Sequence, residues 1–267
     1  PRETTPAAVA LLEREARLLS RLRHPNVVRL VELVRLSDTD PVLALAVELI
    51  DGPTLEDLGR DPVPPGRLAA IGADVGRGLE VLHDAGIVHG DVKPANIVIR
   101  PTGQAVLVDL DAAVDLNDEQ TRSSIRTTAR FAAPEVLDRG VRTAASDVWS
   151  LATTLLAHLP VEVDPPFPTE VDGGDDQCAA LREVLEAACA TDPDERPTLT
   201  EVIDVLDREA SDTSLASLPE PPAPAVVDGI GPLLNPPAPP RDHADQDPAP
   251  LAGDPTVVWH PRRGRSE

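Results

Sequence analysis

Three side chains that could act together on a phosphate lie within six residues of one another. They are Asp91, Lys93 and Asn96, in the segment His89-Gly90-Asp91-Val92-Lys93-Pro94-Ala95-Asn96-Ile97-Val98-Ile99. Moving a phosphoryl group needs a carboxylate to take the proton of the attacking hydroxyl. It also needs a cation near the phosphate and oxygen donors for a metal ion. Asp91 supplies the carboxylate, Lys93 a compact point charge, and Asn96 an amide oxygen. A second carboxylate, Asp109, follows thirteen residues after Asn96, at the end of the apolar run Ala105-Val106-Leu107-Val108.

These residues need elements to hold them. Residues 66–85 carry Leu68, Ile71, Val75, Leu79 and Leu82 on one face, which predicts a long helix closed by Gly86. The short apolar runs IVHGD, NIVIR and AVLVDL that follow put Asp91–Asn96 in a loop and Asp109 at a strand end. Upstream, residues 7–22 read as an amphipathic helix that His24-Pro25 ends. VVRLVELVRL and VLALAVELI read as two strands around a polar turn at 37–41. Asp51-Gly52-Pro53 is a linker, and a short helix is expected over Thr54–Leu58. Residues 112–130 read as a loop, and 146–159, 178–190 and 198–209 as helices. From about residue 210 Pro, Asp, Ala and Ser dominate. That stretch cannot bury enough apolar surface to offset its ordering entropy, so a disordered tail is expected over 210–267. Val257-Val258-Trp259 reads as a stray apolar patch within it.

The segment from His89 to Asn96 resembles the catalytic loop H-R-D-x-K-x-x-N of eukaryotic-like protein kinases. On its own it is also compatible with small-molecule kinases of related fold. Later motifs fall in the family's order. Asp109-Leu110-Asp111 matches the place of Asp-Phe-Gly, and Ala133-Pro134-Glu135 matches Ala-Pro-Glu. Asp147-Val148-Trp149-Ser150-Leu151-Ala152 is similar to the start of the central buried helix, whose Asp holds the catalytic-loop backbone. Asp192-Pro193-Asp194-Glu195-Arg196-Pro197-Thr198 resembles the late segment whose Arg pairs with the Glu of Ala-Pro-Glu, so an ion pair Glu135–Arg196 is implied.

The resemblance, over roughly residues 7–209, is to bacterial (Hanks-type) serine/threonine protein kinases. It implies an α+β, two-lobed kinase fold: residues 1–50 a remnant of the N-terminal lobe with the regulatory helix and two or three strands, and 51–209 a mainly helical C-terminal lobe. Glu15 falls where the family's helix Glu sits; taken alone it is a solvated helix charge. Glu48-Leu49-Ile50 fall at the hinge, where backbone groups meet adenine, with Val47 as gatekeeper. The implied roles are catalysis for Asp91, Lys93 and Thr128; ATP binding for Glu15, Glu48, Ile50, Lys93, Asn96 and Asp109; and Mg²⁺ (or Mn²⁺) binding for Asn96 and Asp109. Thr128 matches a Thr that bonds the catalytic Asp and Lys in serine/threonine rather than tyrosine kinases.

Several positions depart from the pattern. Lys93 is the only lysine in the chain, and no Gly or Lys precedes Glu15, so the Gly-rich loop and the lysine strand are missing from these residues. The lack of methionine and the abrupt start favour a truncated domain. Without the Lys–Glu pair, weak ATP binding and poor phosphate transfer by these 267 residues are expected. Gly90 replaces the Arg of His-Arg-Asp, which suggests activity independent of a docked activation-loop phosphate, although Thr121, Ser123 and Ser124 offer hydroxyls nearby. Asp111 replaces Gly; its carboxylate could add a metal ligand or an unwelcome charge.

The net charge of −22 argues against nucleic acid or anionic membrane as a bulk-charge partner. No apolar run approaches the roughly 20 residues of a spanning helix. Aromatic residues are 1% of the chain, so its core must be aliphatic. Cys178 and Cys189 form no disulfide framework and fit a reducing cytoplasm. The expected partners are ATP and a protein carrying a Ser/Thr acceptor. The second reading is a pseudokinase acting as a scaffold, because the ATP clamp is missing. The third, a small-molecule phosphotransferase, is opposed by Ala-Pro-Glu, Thr128 and the Asp-Val-Trp-Ser helix, which serve a protein substrate.

Overall fold

The computed structural model describes residues 6–35, 43–59, 63–117, 128–159 and 179–211. In chain order its elements are α1 (Pro6–Ser20), β1 (Leu30–Arg35), β2 (Leu43–Val47), α2 (Pro65–Asp84), β3 (Ile87–Val88), β4 (Ile97–Ile99), β5 (Ala105–Leu107), β6 (Val114–Asp115), α3 (Pro134–Arg139), α4 (Ala144–Leu156), α5 (Ala179–Ala188) and α6 (Leu199–Ser211). The expected turn at 37–41, the hydroxyls of Thr121, Ser123 and Ser124, Cys178 and the segment 257–259 lie outside the described residues.

Helix α2 is the centre of the larger, helical part. Its buried face, Leu68, Ile71, Val75 and Leu79, shares one core with Leu151 and Leu155 of α4, Leu181 and Leu185 of α5, and Val202, Ile203 and Leu206 of α6. The close approach of α2 to α4 and α6 depends on glycine: a Cβ at Gly72 would lie 2.6 Å from Leu155 Cδ1 of α4, and one at Gly76 2.6 Å from Ile203 Cγ1 of α6. With so few aromatic side chains, close approach of backbones fills the volume that large rings would otherwise occupy. Helix α4 starts two residues earlier than its apolar run suggests. Thr143 caps it in a reciprocal capping box with Ser146.

The smaller part pairs β1 with β2 antiparallel and lays α1 against them. Leu18, Leu19 and Leu22 share a second core with Val27, Val28, Val98, Val106 and Val108. Strand β1 begins at Leu30 rather than at Val27. Residues 26–28 instead bind the edge of β5, where Val28 N–H donates to Leu107 O at 2.9 Å and Leu107 N–H to Asn26 O at 2.8 Å. This joins the small part to the hairpin β4–β5.

Three expectations need correction. Thr54–Leu58 forms a turn, not a helix. Thr54 bridges to Val98 of β4, and Leu55 N–H donates to Ile97 O at 2.8 Å, which holds the chain extended there. Asp57 closes the turn by accepting from Thr54 N–H at 3.0 Å and Thr54 Oγ1 at 2.7 Å. Within 112–130, β6 pairs with β3, so that stretch is not all loop. Helix α6 also runs through Ser211, just past the expected start of the tail.

Candidate active site

The loop between β3 and β4 is anchored from below by one buried carboxylate. Asp147 lies in the first turn of α4 and is fully buried. Its Oδ2 accepts from His89 N–H at 2.8 Å and its Oδ1 from Gly90 N–H at 2.8 Å. His83 Nε2, from the last turn of α2, meets Oδ2 at 2.8 Å. Burial by itself would raise the pKa of Asp147. The His83 hydrogen bond and charge, the nearby His89 and the Gly90 N–H more than offset it and hold the group below the ordinary carboxylate range. The expected anchoring role of Asp147 is therefore realised in the geometry. His83 escaped the sequence reading, although it sits four residues after Leu79 on the buried face of α2.

Above this anchor the chemistry-bearing side chains meet. Lys93 Nζ donates to Asp91 Oδ2 at 2.5 Å and to Thr128 Oγ1 at 3.1 Å. Thr128 N–H donates to Asp91 Oδ1 at 2.7 Å. Asn96 is buried in a 3₁₀ turn, and its Nδ2 donates to Asp91 O at 3.0 Å, which leaves the amide oxygen for another partner. Asn96 O accepts from Val108 N–H at 2.9 Å, and this bond sets the next residue, Asp109, beside the loop. Asp91, Lys93, Asn96 and Asp109 are thus brought together.

Asp109 takes a left-handed backbone, φ 67°, which is uncommon for a residue other than glycine. Its carboxylate accepts from Asp111 N–H at 3.1 Å. Burial first, and then the charge of Asp111, raise its pKa, while the Asp111 N–H, His89 and Lys93 act to lower it. Glu15 of α1 reaches the same corner, its Oε1 accepting from Leu110 N–H at 3.3 Å. Burial, then Asp109, push the Glu15 pKa up to about 7, against the Leu110 hydrogen bond. Glu15, Asp109 and Asp111 bring three carboxylates into one partly dry corner, where Lys93 and His89 are positive groups acting on Asp109. An amide oxygen and carboxylates are hard donors suited to Mg²⁺. Among the described residues, no group of three His, Cys, Asp or Glu side chains is arranged to hold a metal. A cation at Asn96 and Asp109 would complete its shell with phosphate oxygens and water, as Mg²⁺ commonly does. The corner fits a metal-bound nucleotide.

At the hinge position, Glu48 N–H donates to Arg29 O at 2.9 Å. Its carboxylate accepts from Arg29 N–H at 3.1 Å and meets Arg100 at 3.3 Å. The Glu48 side chain and N–H are therefore structural, and its backbone carbonyl is what remains for a ligand. Ile50 and Val47 pack against the second core, whose members include Val108 and Leu110.

The expected Glu135–Arg196 pair is present and bidentate, with Nη1–Oε1 and Nη2–Oε2 both at 2.8 Å. Arg196 also donates to Ala190 O and Ala145 O, each at 2.9 Å, and stacks 5.0 Å from the Trp149 ring centre. It joins α3, α4 and the turn before α6.

The model of the protein kinase domain matches residues 3–206. The chain belongs to the protein kinase family. Curated relatives include the serine/threonine-protein kinase PkaA of Streptomyces coelicolor, 36% identical over 183 residues, covering 65% of this chain and 32% of that protein. The serine/threonine-protein kinase PknB of Mycobacterium leprae is 32% identical over 168 residues, covering 61% and 27%. A mitogen-activated protein kinase kinase kinase of Arabidopsis thaliana is 32% identical over 160 residues, covering 58% and 24%. The chain spans no more than a third of the length of these three kinases. Protein kinase domains in general use ATP and a divalent metal. Among the described residues of this kinase domain, no helix is long and apolar enough to cross a membrane.

Proposed function

We propose that this kinase domain transfers the ATP γ-phosphoryl group to Ser/Thr hydroxyls of proteins, with Mg²⁺ (or Mn²⁺) held by Asn96 and Asp109. The observation that carries this reading is Asp91, fixed on one oxygen by Lys93 and on the other by Thr128 N–H. ATP, when bound, supplies the phosphoryl group, and the metal neutralises its charge. Asp91 orients the acceptor hydroxyl and takes its proton on a carboxylate oxygen. Lys93 gives positive charge beside that oxygen, and Thr128 keeps loop and substrate platform in register. Glu48 and Ile50 offer backbone groups to the base, and Glu15 steadies the segment that bears Asp109. Residues 1–209 act as the catalytic unit, in a reducing, cytoplasmic setting. Free Cys189 fits that setting: burial pushes its thiol up to about 12, so it is unreactive.

One observation favours a second reading, a nucleotide-binding scaffold without transfer. Glu15 is bonded to Leu110 N–H, and Lys93, the only lysine of these 267 residues, is bonded to Asp91 and Thr128 instead. Labelled ATP with a generic protein substrate separates the two. The kinase reading expects slow transfer that falls by about 10²–10⁴-fold in Asp91→Ala. Equal labelling by both proteins, or none by either, favours the scaffold.

A further inference from the structure

Gly90 stands immediately before Asp91 with φ +75°, a conformation that suits glycine. A side chain would also crowd its neighbours there. A Cβ would lie 3.0 Å from Arg142 Cδ, 3.1 Å from Arg142 Nε and 3.1 Å from Ala112 O. The space beside the catalytic loop is filled instead by a guanidinium arriving from another element. Arg142 directly precedes the N-cap of α4, is only 8% exposed, and donates from Nη1 to Ala112 O at 2.9 Å. Asp147, Asp91 and Asp111 face it with negative charge, and Arg14 of α1 with positive charge. One buried cation thus touches the segment after Asp109 and crosses the backbone before Asp91.

We propose that Arg142 is a positioning residue for phosphoryl transfer, tying the Asp91 loop to the Asp109 segment in the place that a side chain at position 90 would otherwise occupy. The inference rests on the kinase reading above. Its chemistry is that of a planar fork with several donors, which a partly dry site holds rigidly. Arg142 moves no proton and touches no reacting atom. It fixes the distance between the groups that do.

The test follows label transfer from ATP by the full chain as wild type, Arg142→Ala, Arg142→Gln and Arg142→Lys, with amide hydrogen exchange over residues 89–92 and 109–113 in each. Misplacing a catalytic group by about 1 Å can cost roughly 10²-fold. Arg142→Ala and Arg142→Gln are therefore expected to lower kcat by about 10- to 100-fold while KM for ATP stays the same, and to speed exchange at both segments. Arg142→Lys keeps the charge and recovers part of both losses. Unchanged exchange in Arg142→Ala, unchanged kcat per folded molecule, or full activity in Arg142→Gln overturns the proposal. If Arg142→Ala does not fold, the Gln and Lys variants, which preserve most of the volume, decide it. If the wild type transfers nothing, the kinase reading fails, and the exchange comparison alone then supports or overturns the tie.

Discussion

Asp91 has both carboxylate oxygens engaged, but by donors of different kinds. Lys93 reaches Oδ2 with a side chain, while Thr128 reaches Oδ1 with its backbone N–H. Among the described residues, the Thr128 hydroxyl serves Lys93, at 3.1 Å. Removing that hydroxyl leaves the grip on Asp91 intact and costs one hydrogen bond, about 0.5–1.5 kcal/mol. Thr128→Ala is therefore expected to lower kcat by no more than about tenfold, well short of the loss in Asp91→Ala. Steady-state kinetics of the two variants side by side checks this. A Thr128→Ala loss as large as that of Asp91→Ala would mean that the hydroxyl, not the N–H, positions the carboxylate. The importance of a Thr at 128 was legible from its place before Ala-Pro-Glu. The atom that holds Asp91 was not, since spacing says nothing of which group on a residue makes a contact.

Elements are held by two anions, Glu135 partly buried and Asp147 fully buried. Glu135 ties α3 to Arg196, and Asp147 ties α4 to the loop and to α2. Asp147→Asn puts an amide nitrogen against donors and removes a buried charge that its surroundings are built to receive. The expected loss is about 3–5 kcal/mol, read by chemical denaturation at neutral pH. The pH dependence follows from the direction of the shift. A carboxyl held below its ordinary 3.8 binds its proton less readily folded than unfolded. Its stabilisation is complete above that value and disappears as pH falls through the lower folded value. Wild type should therefore lose stability in acid below about pH 4 more steeply than Asp147→Asn, where this contribution is absent. Parallel acid profiles would contradict that. The partners at this scale were half legible. Asp147, Glu135 and Arg196 stand in recognisable motifs. His83, the Thr54–Val98 bridge and the pairing of residues 26–28 with β5 join segments far apart in sequence, and each residue looks locally like an ordinary helix, turn or strand member.

In the molecule as a whole, the longer helices α1, α2, α4, α5 and α6 were predictable because apolar periodicity sets both their type and their buried face, whereas the short α3 was not expected. The aliphatic core expected from an aromatic content of 1% is what packs around α2. Less legible was where strands stop, because an apolar run cannot say which of its residues pair with which edge. Arg142 belongs to the same class: its sequence neighbourhood gives no hint that Gly90 lies beneath it. Both cores meet at the β4–β5 hairpin, which carries Asn96 before β4 and Asp109 after β5. Helical base and small sheet are thereby made to present their groups at one place. The most direct measurement is backbone NMR of the full chain titrated with Mn²⁺·ATP, whose paramagnetic ion broadens nearby amides. Broadening is expected at residues 91, 93, 96 and 109 together, and to be lost in Asp109→Asn. Broadening centred elsewhere, or unchanged by that substitution, would contradict the convergence of these four groups on one metal-bound nucleotide.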